Sequence, residues 1–416
     1  MGIWHRITKK TENIWDNILW WKQSKKWKRD DCVVLFGAWF GERYADTSRY
    51  LYQFLSDNKE KYGLTRVVWA TRSEVVRTEI TNLGYEAYLL DSEESIRYHQ
   101  IAGTHIICNM ADTGDLYSGD LMGQYSYGAR KVNLWHGVMP MKGVASASNE
   151  YKAKKKASPI RCRIQEFLIG QSKIYRSFVN THGGWGDCYY LSVTPAGTDI
   201  LRQFFMLPQN HFIETGNPRV CGQVSYTDRE KQFVEILKDY NKVILYLPTF
   251  RDPNSSFDYS HVAEPTQPFL RKENALWVQK AHSAASSATY SYQKEGNIVY
   301  LSSDFDINSI MQDITLLVTD FSSVAADAMY YYKPIIYYMP DYEEYLSKDR
   351  GFVIDPETVM MGSKAFNLDE LQEKMGGLLN STFLPDKKYE DTRFRFWGPD
   401  KTMDEIWIDI ARTIKL

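Results

Sequence analysis

Two histidines follow apolar segments of the chain and precede polar loops, where an imidazole could act as a general base. His136 lies in the segment NLWHGVMPMKG, directly before a glycine. Lys142 follows six residues later, where its ammonium group could hold a phosphate. His282 ends the segment ALWVQKAH in the same way. For each histidine, the alternative is a side chain that only satisfies backbone groups at the end of a strand.

Two further segments carry groups suited to phosphate. In ETGNPRV, Gly216 and Asn217 permit a tight turn, and Arg219 supplies a guanidinium whose planar fork matches phosphate oxygens. In YLPTFRDPNSS, Thr249 offers a hydroxyl group and Arg251 a second guanidinium. The alternative for the first segment is a common turn, and the alternative for the second is an ordinary loop with a solvent-facing arginine.

The segment VTDFSSVAADAMYYYKP predicts a strand, a tight turn and the first turn of a helix. Asp320 ends the apolar strand, Ser322 is a favourable N-cap, and the helix is expected to end before Pro334. Free N–H groups of the first turn, together with the hydroxyl groups of Ser322 and Ser323, could bind a phosphate. Serine caps are common in helices of every kind, so this signal alone is weak.

The elements that must position these residues alternate between short apolar strands and longer helices. Strands buried on both faces and separated by helices are typical of parallel sheets. Because ligands of such sheets bind beyond the carboxyl ends of the strands, the polar loops above stand where chemistry is expected. The predicted strands are 32–36, 65–70, 86–90, 104–108 and 131–135, then 242–249, 275–282, 297–302, 314–320 and 334–340.

Composition excludes several classes of protein. The chain has 416 residues, 44% hydrophobic and 25% charged, which suggests two or three globular domains. Its formal net charge of -2 favours no nucleic-acid partner. The five cysteines are scattered without a C-x-x-C pair, which argues against a disulfide framework or a structural zinc site. No apolar segment is long enough to span a membrane, and the first residues lack the apolar h-region and small-residue cleavage site of a signal peptide, so we expect a protein that is neither secreted nor inserted.

The first thirty residues differ from the rest of the chain. They contain eight Lys or Arg residues against three acidic residues, and five tryptophans, Trp4 among them. Isoleucines and Trp21 recur at helical spacing, which predicts a basic amphipathic helix. One interpretation is a helix that lies in the interface of an anionic membrane. The alternative is a helix packed on the body of the protein.

No motif for a P-loop, a simple dinucleotide site or a zincin is present, and no acidic pair has metal-ligand spacing. We therefore expect neither a metal nor a cofactor. The remaining set consists of histidines, cationic residues and a serine-capped helix on strand-end loops. That set suits a phosphate-bearing substrate.

These same segments resemble the CDP-glycerol glycerophosphotransferase family, the polymerases and primases of teichoic acid and related capsules. The motifs that carry the resemblance stand in family order over about residues 32–350. They are WHG with Lys142, GNPR, PTFRD, KAH, and TDFSSVAAD with Lys333 and Pro334. The segment FGAWFGERYADTSRYLYQFL is similar to the family's N-terminal opening. Five motifs in order are far more specific than any one of them.

The resemblance implies an α/β fold of two Rossmann-like doubly wound domains that face a central cleft, the GT-B-like arrangement. It implies transfer of an alditol phosphate from a CDP-alditol to a hydroxyl of a lipid-linked glycan or polyol-phosphate acceptor, with release of CMP. It also favours peripheral association with the cytoplasmic face of the membrane. The expected parts are an N-terminal membrane-association segment, an acceptor-side domain, a donor-binding domain and a C-terminal helix, over 1–30, 31–210, 211–390 and 391–416.

Residue roles follow from the matched motif positions. His136 matches the family's proposed base, and His282 is expected to share the catalytic role. Asp327 matches an acid of the last motif. Substrate binding is expected from Lys142, Gly216, Asn217, Arg219, Thr249, Arg251, Asp320, Ser322, Ser323 and Asp327.

The chain departs from the family pattern at several positions. It has HGVMPMK in place of HGTPLK, GNPRVC in place of GNPRND, and Lys280 and Ser283 in place of an Arg and a Pro around the second histidine. The alditol and the acceptor therefore stay open, as do chain length and the oligomeric state, a homo-oligomer included. The alternatives are a GT-B glycosyltransferase that uses a nucleotide sugar and a non-catalytic membrane-bound scaffold.

Overall fold

The chain forms two compact units. The computed structural model describes residues 3–110, 119–179, 183–249, 262–280, 292–348 and 352–416. The first unit comprises Met1–His136, Lys154–Ser225 and Asp400–Leu416, and the second comprises Gly137–Ala153 and Tyr226–Pro399. In the described part of the chain, each unit contains one seven-stranded sheet flanked by helices. The predicted α/β fold with two doubly wound sheets is confirmed.

The strands form where β-branched and aromatic residues cluster between polar turns. They are β1 Asp30–Phe36, β2 Arg66–Thr71, β3 Ala87–Leu89, β4 Ala102–Ile107, β5 Arg130–Asn133, β6 Tyr189–Leu191, β7 Phe212–Ile213, β8 Lys242–Leu247, β9 Ala275–Lys280, β10 Tyr292–Glu295, β11 Ile298–Leu301, β12 Leu316–Thr319, β13 Ile335–Tyr338 and β14 Ser363–Ala365.

Most of the helices follow a polar N-cap residue, although α2 follows Ala45, and two of them, α10 and α16 below, begin with a full capping box. They are α1 Ile3–Ser24, α2 Asp46–Asp57, α3 Glu74–Asn82, α4 Glu93–Ile101, α5 Asn149–Ala157, α6 Pro159–Gln171, α7 Lys173–Phe178, α8 Pro195–Phe205, α9 Pro218–Cys221, α10 Asp228–Leu237, α11 Gln267–Glu273, α12 Val324–Tyr330, α13 Tyr342–Lys348, α14 Leu368–Leu379, α15 Lys387–Trp397 and α16 Met403–Ile414.

The first sheet is parallel throughout, in the order β3-β2-β1-β4-β5-β6-β7. The central strand β1 ends in four fully buried apolar residues, Val33 to Phe36, because helices cover both of its faces. The strand order reverses between β1 and β4. In a doubly wound sheet, this reversal opens a crevice at the carboxyl ends of the two strands.

The second sheet has the order β10-β11-β9-β8-β12-β13-β14 and is parallel except for β10. Its core includes the fully buried Trp277 of β9 and Ile336 of β13. Here the strand order reverses between β8 and β12. The carboxyl ends of those two strands therefore form the corresponding crevice of the second unit.

The compact units divide the chain at places other than the predicted domain boundaries. The first unit continues past residue 210 to Ser225, because β7 pairs with β6 and so carries the GNPR segment onto the first sheet. It also receives α16, whose Ile406 packs so closely on Gly216 that a Cβ there would lie 2.9 Å from it. The predicted C-terminal helix over 391–416 is two helices, the end of α15 and all of α16.

The N-terminal segment contains helix α1, and the C-terminal half of this helix packs on the first unit. The buried Asn17 donates to the Phe178 carbonyl oxygen at 3.0 Å and accepts from the Gly183 N–H at 3.0 Å. After the helix, Arg29 donates to four backbone carbonyls, that of His99 among them. The side chains before Glu12, Trp4 among them, lie outside the described residues. Of the described helices, none has the length and apolar character that crossing a bilayer requires.

Candidate active site

His136 stands at the carboxyl end of the first sheet, as its position after an apolar segment predicts. Strand β5 ends at Asn133, whose side-chain oxygen accepts from the Trp135 N–H at 2.9 Å and whose amide donates to the Asn109 carbonyl at 2.8 Å. Trp135 adopts a φ of 52°, a left-handed conformation that is uncommon for a bulky residue. This turn brings His136 beside the end of β4, in the crevice next to β1.

Two indole rings flank the imidazole of His136. The ring centroid of Trp135 lies 4.4 Å from that of His136, and the centroid of Trp39 lies 5.2 Å away. The Nδ1 atom lies 3.4 Å from the Cys108 carbonyl oxygen. Since a carbonyl can only accept, we assign the proton to Nδ1, which leaves the lone pair of Nε2 available to take a proton. Burial lowers the pKa of His136 below its ordinary value of 6.5, so the imidazole is neutral at pH 7.

The GNPR segment lies in the same unit, and its arginine has protein partners. Asn217 caps the short helix α9 by accepting from the Arg219 N–H at 3.1 Å. The Arg219 guanidinium is buried and donates to the Asp46 carboxylate at 3.0 Å and to the His136 carbonyl oxygen at 2.8 Å. Gly216 is required by the close approach of α16. The structure thus brings Asn217 and Arg219 to the loop that carries His136.

Asp46 is a residue that the sequence reasoning did not single out. It opens α2 with a φ of 64°, is 6% exposed, and accepts from the Trp39 indole N–H at 3.3 Å as well as from Arg219. The available signal was its place in the segment FGAWFGERYADTSRYLYQFL, where an acid precedes a helix. Nothing local indicated its partner, which lies 173 residues away in the chain.

In the second unit, Thr249 and Asp320 meet at the reversal point of the sheet. The Asp320 carboxylate accepts from the Thr249 backbone N–H at 3.0 Å and also from the Thr249 hydroxyl. Both residues are at least nine-tenths buried. This contact ties the loop after β8 to the loop after β12, so that the serines that follow Asp320 are held at the carboxyl ends of both strands.

The helix after β12 begins one residue later than predicted. Ser323, not Ser322, occupies the N-cap position of α12, and its side chain makes no capping hydrogen bond. The Ser322 hydroxyl instead accepts from the Val324 N–H at 3.4 Å. The reason is that Ser323 has helical backbone angles, which do not direct its hydroxyl toward the first turn. Asp327 follows on α12 and is 5% exposed.

Lys142 belongs to the second unit, although it follows His136 by only six residues. Its Nζ lies 4.9 Å from the centroid of the Tyr345 ring. That ring stacks on Phe321 at 4.1 Å, and Phe321 directly precedes Ser322. Lys142 therefore stands one aromatic ring away from the loop that carries the two serines.

Two predicted site residues, Arg251 and His282, lie outside the described residues. Within the ranges described, no group of three or more His, Cys, Asp or Glu side chains could hold a metal ion. The groups that are described comprise a neutral imidazole in the first unit and hydroxyl groups with a lysine in the second. These groups can accept a proton and contact phosphate oxygens.

Comparisons with known proteins agree with the resemblance. The chain is 23% identical over 349 residues to the teichoic acid poly(glycerol phosphate) polymerase of Bacillus spizizenii W23, with 80% of each chain covered. It is 28% identical over 204 residues to the teichoic acid ribitol-phosphate polymerase TarL of Staphylococcus aureus NCTC 8325, which covers 45% of this chain and 35% of TarL. The solved structure of the wall teichoic acid polymerase TagF superimposes with a TM-score of 0.68 at 18% identity, over 99% of this chain and 98% of TagF.

The model of one protein family, described as CDP-Glycerol:Poly(glycerophosphate) glycerophosphotransferase, matches residues 20–397. This range holds all five motifs and both sheets. The TagF likeness shows that the fold is the GT-B-like one expected. The chain therefore belongs to the CDP-glycerol:poly(glycerophosphate) glycerophosphotransferase family of enzymes.

Proposed function

We propose that this enzyme transfers an alditol phosphate from a CDP-alditol to a hydroxyl group of a lipid-linked acceptor in teichoic acid or capsule synthesis, releasing CMP. The alditol is glycerol or ribitol. The observation that carries the proposal is the environment of His136, a neutral imidazole whose Nε2 is available at the carboxyl end of the first sheet. Family membership supplies the class of donor.

In the proposed reaction, Nε2 of His136 removes the proton of the acceptor hydroxyl as its oxygen attacks the phosphorus that bears the alditol. A new phosphorus–oxygen bond forms, the bond from that phosphorus to the bridging oxygen breaks, and CMP leaves with the bonding electrons. Such transfers depend chiefly on the alignment of the nucleophile and on the stabilisation of charge on the phosphoryl oxygens. General-base assistance contributes about 10²–10⁴-fold.

We assign the diphosphate contacts to the second unit. The hydroxyl groups of Ser322 and Ser323 lie in the loop after β12, and the ammonium of Lys142 stands close to that loop. These groups are therefore suited to bind the diphosphate oxygens. The Thr249–Asp320 contact holds that loop in position. His282 and Arg251 keep their predicted roles in catalysis and in phosphate binding, and Asp327 its predicted role in substrate binding.

The donor panel is the experiment that tests the proposal. The protein is incubated with a synthetic lipid-linked acceptor and with CDP-glycerol, CDP-ribitol, UDP-sugars or CMP-sugars in turn. We expect release of CMP with one CDP-alditol and a product whose mass increases by one or more alditol phosphates. His136→Ala is the control for background hydrolysis. Sugar transfer from a nucleotide sugar, without transfer from either CDP-alditol, would establish the glycosyltransferase alternative.

We also propose that the first unit binds an anionic membrane surface through its helices. Trp15 on α1 is 64% exposed, and α6 presents a stripe of exposed apolar side chains at helical spacing. Exposed arginines and lysines adjoin the stripe, which matches the charge of an anionic lipid surface. We call this surface the α6–α7 face; it consists of Ile160, Ile164, Phe167 and Ile174.

This proposal extends the membrane prediction from residues 1–30 to a second part of the chain. Helix α1 contacts α7, since the Trp21 and Phe178 rings meet edge to face at 6.0 Å. The basic side chains beside the α6–α7 face are Lys154, Lys155, Lys156, Arg161 and Arg163. Removal of residues 2–29 would also remove Asn17 and Arg29, which hold backbone groups of the first unit, so point substitutions test the membrane role better.

A further inference from the structure

Asp46 is at the centre of a group of hydrogen bonds beneath the loop that carries His136. Its carboxylate accepts from the Thr47 N–H at 2.7 Å, the Thr47 hydroxyl at 3.1 Å, the Trp39 indole at 3.3 Å and Arg219 at 3.0 Å. A buried carboxylate is stable only with such partners. The left-handed backbone of Asp46 is a strained conformation that this set of contacts must stabilise.

Arg219 connects this carboxylate to the histidine. A single nitrogen, Nη1, donates to Asp46 and to the His136 carbonyl oxygen, and that nitrogen carries two hydrogens, one for each acceptor. The side chain is only 1% exposed, so its charge is neutralised inside the protein and not by solvent. A guanidinium held in this way links the Asp46 carboxylate to the His136 backbone, which an arginine on a loop surface would not do.

Thr47 adds a second connection to the same loop. Its hydroxyl lies 3.3 Å from the Trp135 carbonyl oxygen and 3.3 Å from the Asn217 side-chain oxygen. Trp135 is the residue with a φ of 52° directly before His136. Because the hydroxyl has a single hydrogen, it donates to one of these acceptors at a time, the Asp46 carboxylate included, while Arg219 holds the next carbonyl of the loop, that of His136.

We propose that Asp46 and Arg219 are positioning residues, an ion pair that fixes the His136 backbone and its two flanking indoles so that Nε2 meets the acceptor hydroxyl. This assigns to Arg219 a role other than the donor-phosphate contact that its motif suggested. The inference rests on the proposed base role of His136. The pair acts through the histidine and contacts neither substrate.

The pair also acts on the protonation of His136. Burial has the largest effect on the pKa of His136 and lowers it. The Asp46 carboxylate raises this pKa, and Arg219 lowers it. The other titratable groups at this end of β4 are Cys108, whose pKa is raised by burial, and Asp120, which accepts from the backbone N–H groups of Phe40, Cys108 and Asn109. Neutralising Asp46 alone should therefore lower the pKa of His136 further.

The test uses Asp46→Asn and Arg219→Lys, with kcat/KM measured against pH, donor affinity measured by calorimetry and Tm recorded. For both variants we expect kcat to fall at least tenfold while the Kd for the CDP-alditol stays within twofold of the wild-type value. In Asp46→Asn, the acid limb of the profile should move to lower pH. In Arg219→Lys, it should move less, because the positive charge is kept.

Arg176→Lys is the matched control, since the buried Arg176 forms an ion pair with the half-buried Asp187 at 2.6 Å elsewhere in the first unit. It should lose comparable stability with no change in kcat. A tenfold weaker Kd with unchanged kcat in the Arg219 variant would overturn the proposal, because it would identify a donor contact.

One further variant decides the outcome if the charge variants do not fold. Thr47→Val removes, without changing a charge, the hydroxyl group that lies between the Asp46 carboxylate and the Trp135 carbonyl, so kcat should fall severalfold; unchanged kcat overturns the positioning role. Combining Asp46→Asn with His136→Ala separates this inference from the proposed function. If positioning is right, Asp46→Asn has no further effect on kcat in the His136→Ala background. If His136→Ala alone keeps wild-type turnover, the base role itself has failed.

Discussion

At the scale of the residue, the tautomer of His136 decides what the imidazole can do. Because Nδ1 donates to a carbonyl, the basic nitrogen is Nε2. We expect His136→Ala to lower kcat by about 10²–10⁴-fold, the usual contribution of general-base assistance. The Kd for the CDP-alditol, measured by calorimetry, should stay unchanged, because the diphosphate is assigned to groups of the second unit.

His211→Ala is the control for this variant, since His211 pairs with Asp187 at 3.1 Å and has no part in the proposed reaction. It should turn over at the wild-type rate. A parallel loss of donor affinity in His136→Ala would remove His136 from the base role.

The pH dependence of the reaction follows from the same residue. Burial lowers the pKa of His136 below 6.5, so its basic form persists at pH values where a free histidine would be protonated. We expect kcat/KM to stay constant as pH falls from 8 to 6.5 and to decline only below that value. The decline at acid pH, which is the acid limb of the profile, is measured with a slowly reacting donor analogue for which chemistry limits the rate. A limb above pH 6.5 would contradict the assignment.

At the scale of the element, helices α6 and α7 carry an apolar face that the first unit leaves uncovered. Ile164→Ser and Phe167→Ser should weaken binding to vesicles that contain phosphatidylglycerol, because each removes apolar surface that would enter the interface. Cosedimentation with such vesicles measures the change, and we expect at least a fivefold loss for the double variant. Ile408→Ser is the matched control, since Ile408 is an exposed isoleucine on α16.

Turnover of a soluble acceptor analogue should be unaffected by the substitutions on α6. Equal vesicle binding by the double variant and the wild-type protein would show that the α6–α7 face has another purpose. Vesicles of neutral lipid separate the contribution of the apolar side chains from that of electrostatic attraction. If the neighbouring lysines and arginines attract anionic lipid, binding to neutral vesicles should be weaker and insensitive to salt.

At the scale of the whole molecule, two buried histidines make stability depend on pH. His99 and His105 are fully buried in the first unit, and their rings meet edge to face at 5.8 Å. Burial lowers the pKa of His99 to about 4 and that of His105 in the same direction. The unfolded chain therefore binds more protons than the folded chain between pH 4 and 6.5, and stability is lost as pH falls through that range.

We expect the free energy of unfolding to level off above about pH 7 and to fall by about 3 kcal/mol or more toward pH 4. Denaturant titrations at several pH values measure it. His99→Gln should be less stable at pH 7, because the amide replaces the ring imperfectly as donor to the Ser95 carbonyl, but its stability should decline less with acid. An unchanged slope in that variant would assign the acid sensitivity to other groups.

Much of the fold and part of the site could be predicted from the sequence because both depend on local pattern. Apolar segments separated by helices determine two sheets that are parallel except at β10, and a polar residue directly after a strand must emerge at its carboxyl end. His136 and Asp320 were found in this way. The order of five short motifs was sufficient to identify the family. Helix starts were less predictable, as Ser323 shows, because one pair of backbone angles decides which serine is the cap.

What only the tertiary structure decided are the relations between distant parts of the chain. The pairing of β7 with β6 placed Arg219 on the first sheet, and the start of α2 placed Asp46 against it. Lys142 joined the second unit although its neighbour in sequence, His136, stayed in the first. The physical reason is that an ion pair depends on where strand order brings two backbones together, and strand order is a property of the folded sheet, absent from any local run of residues.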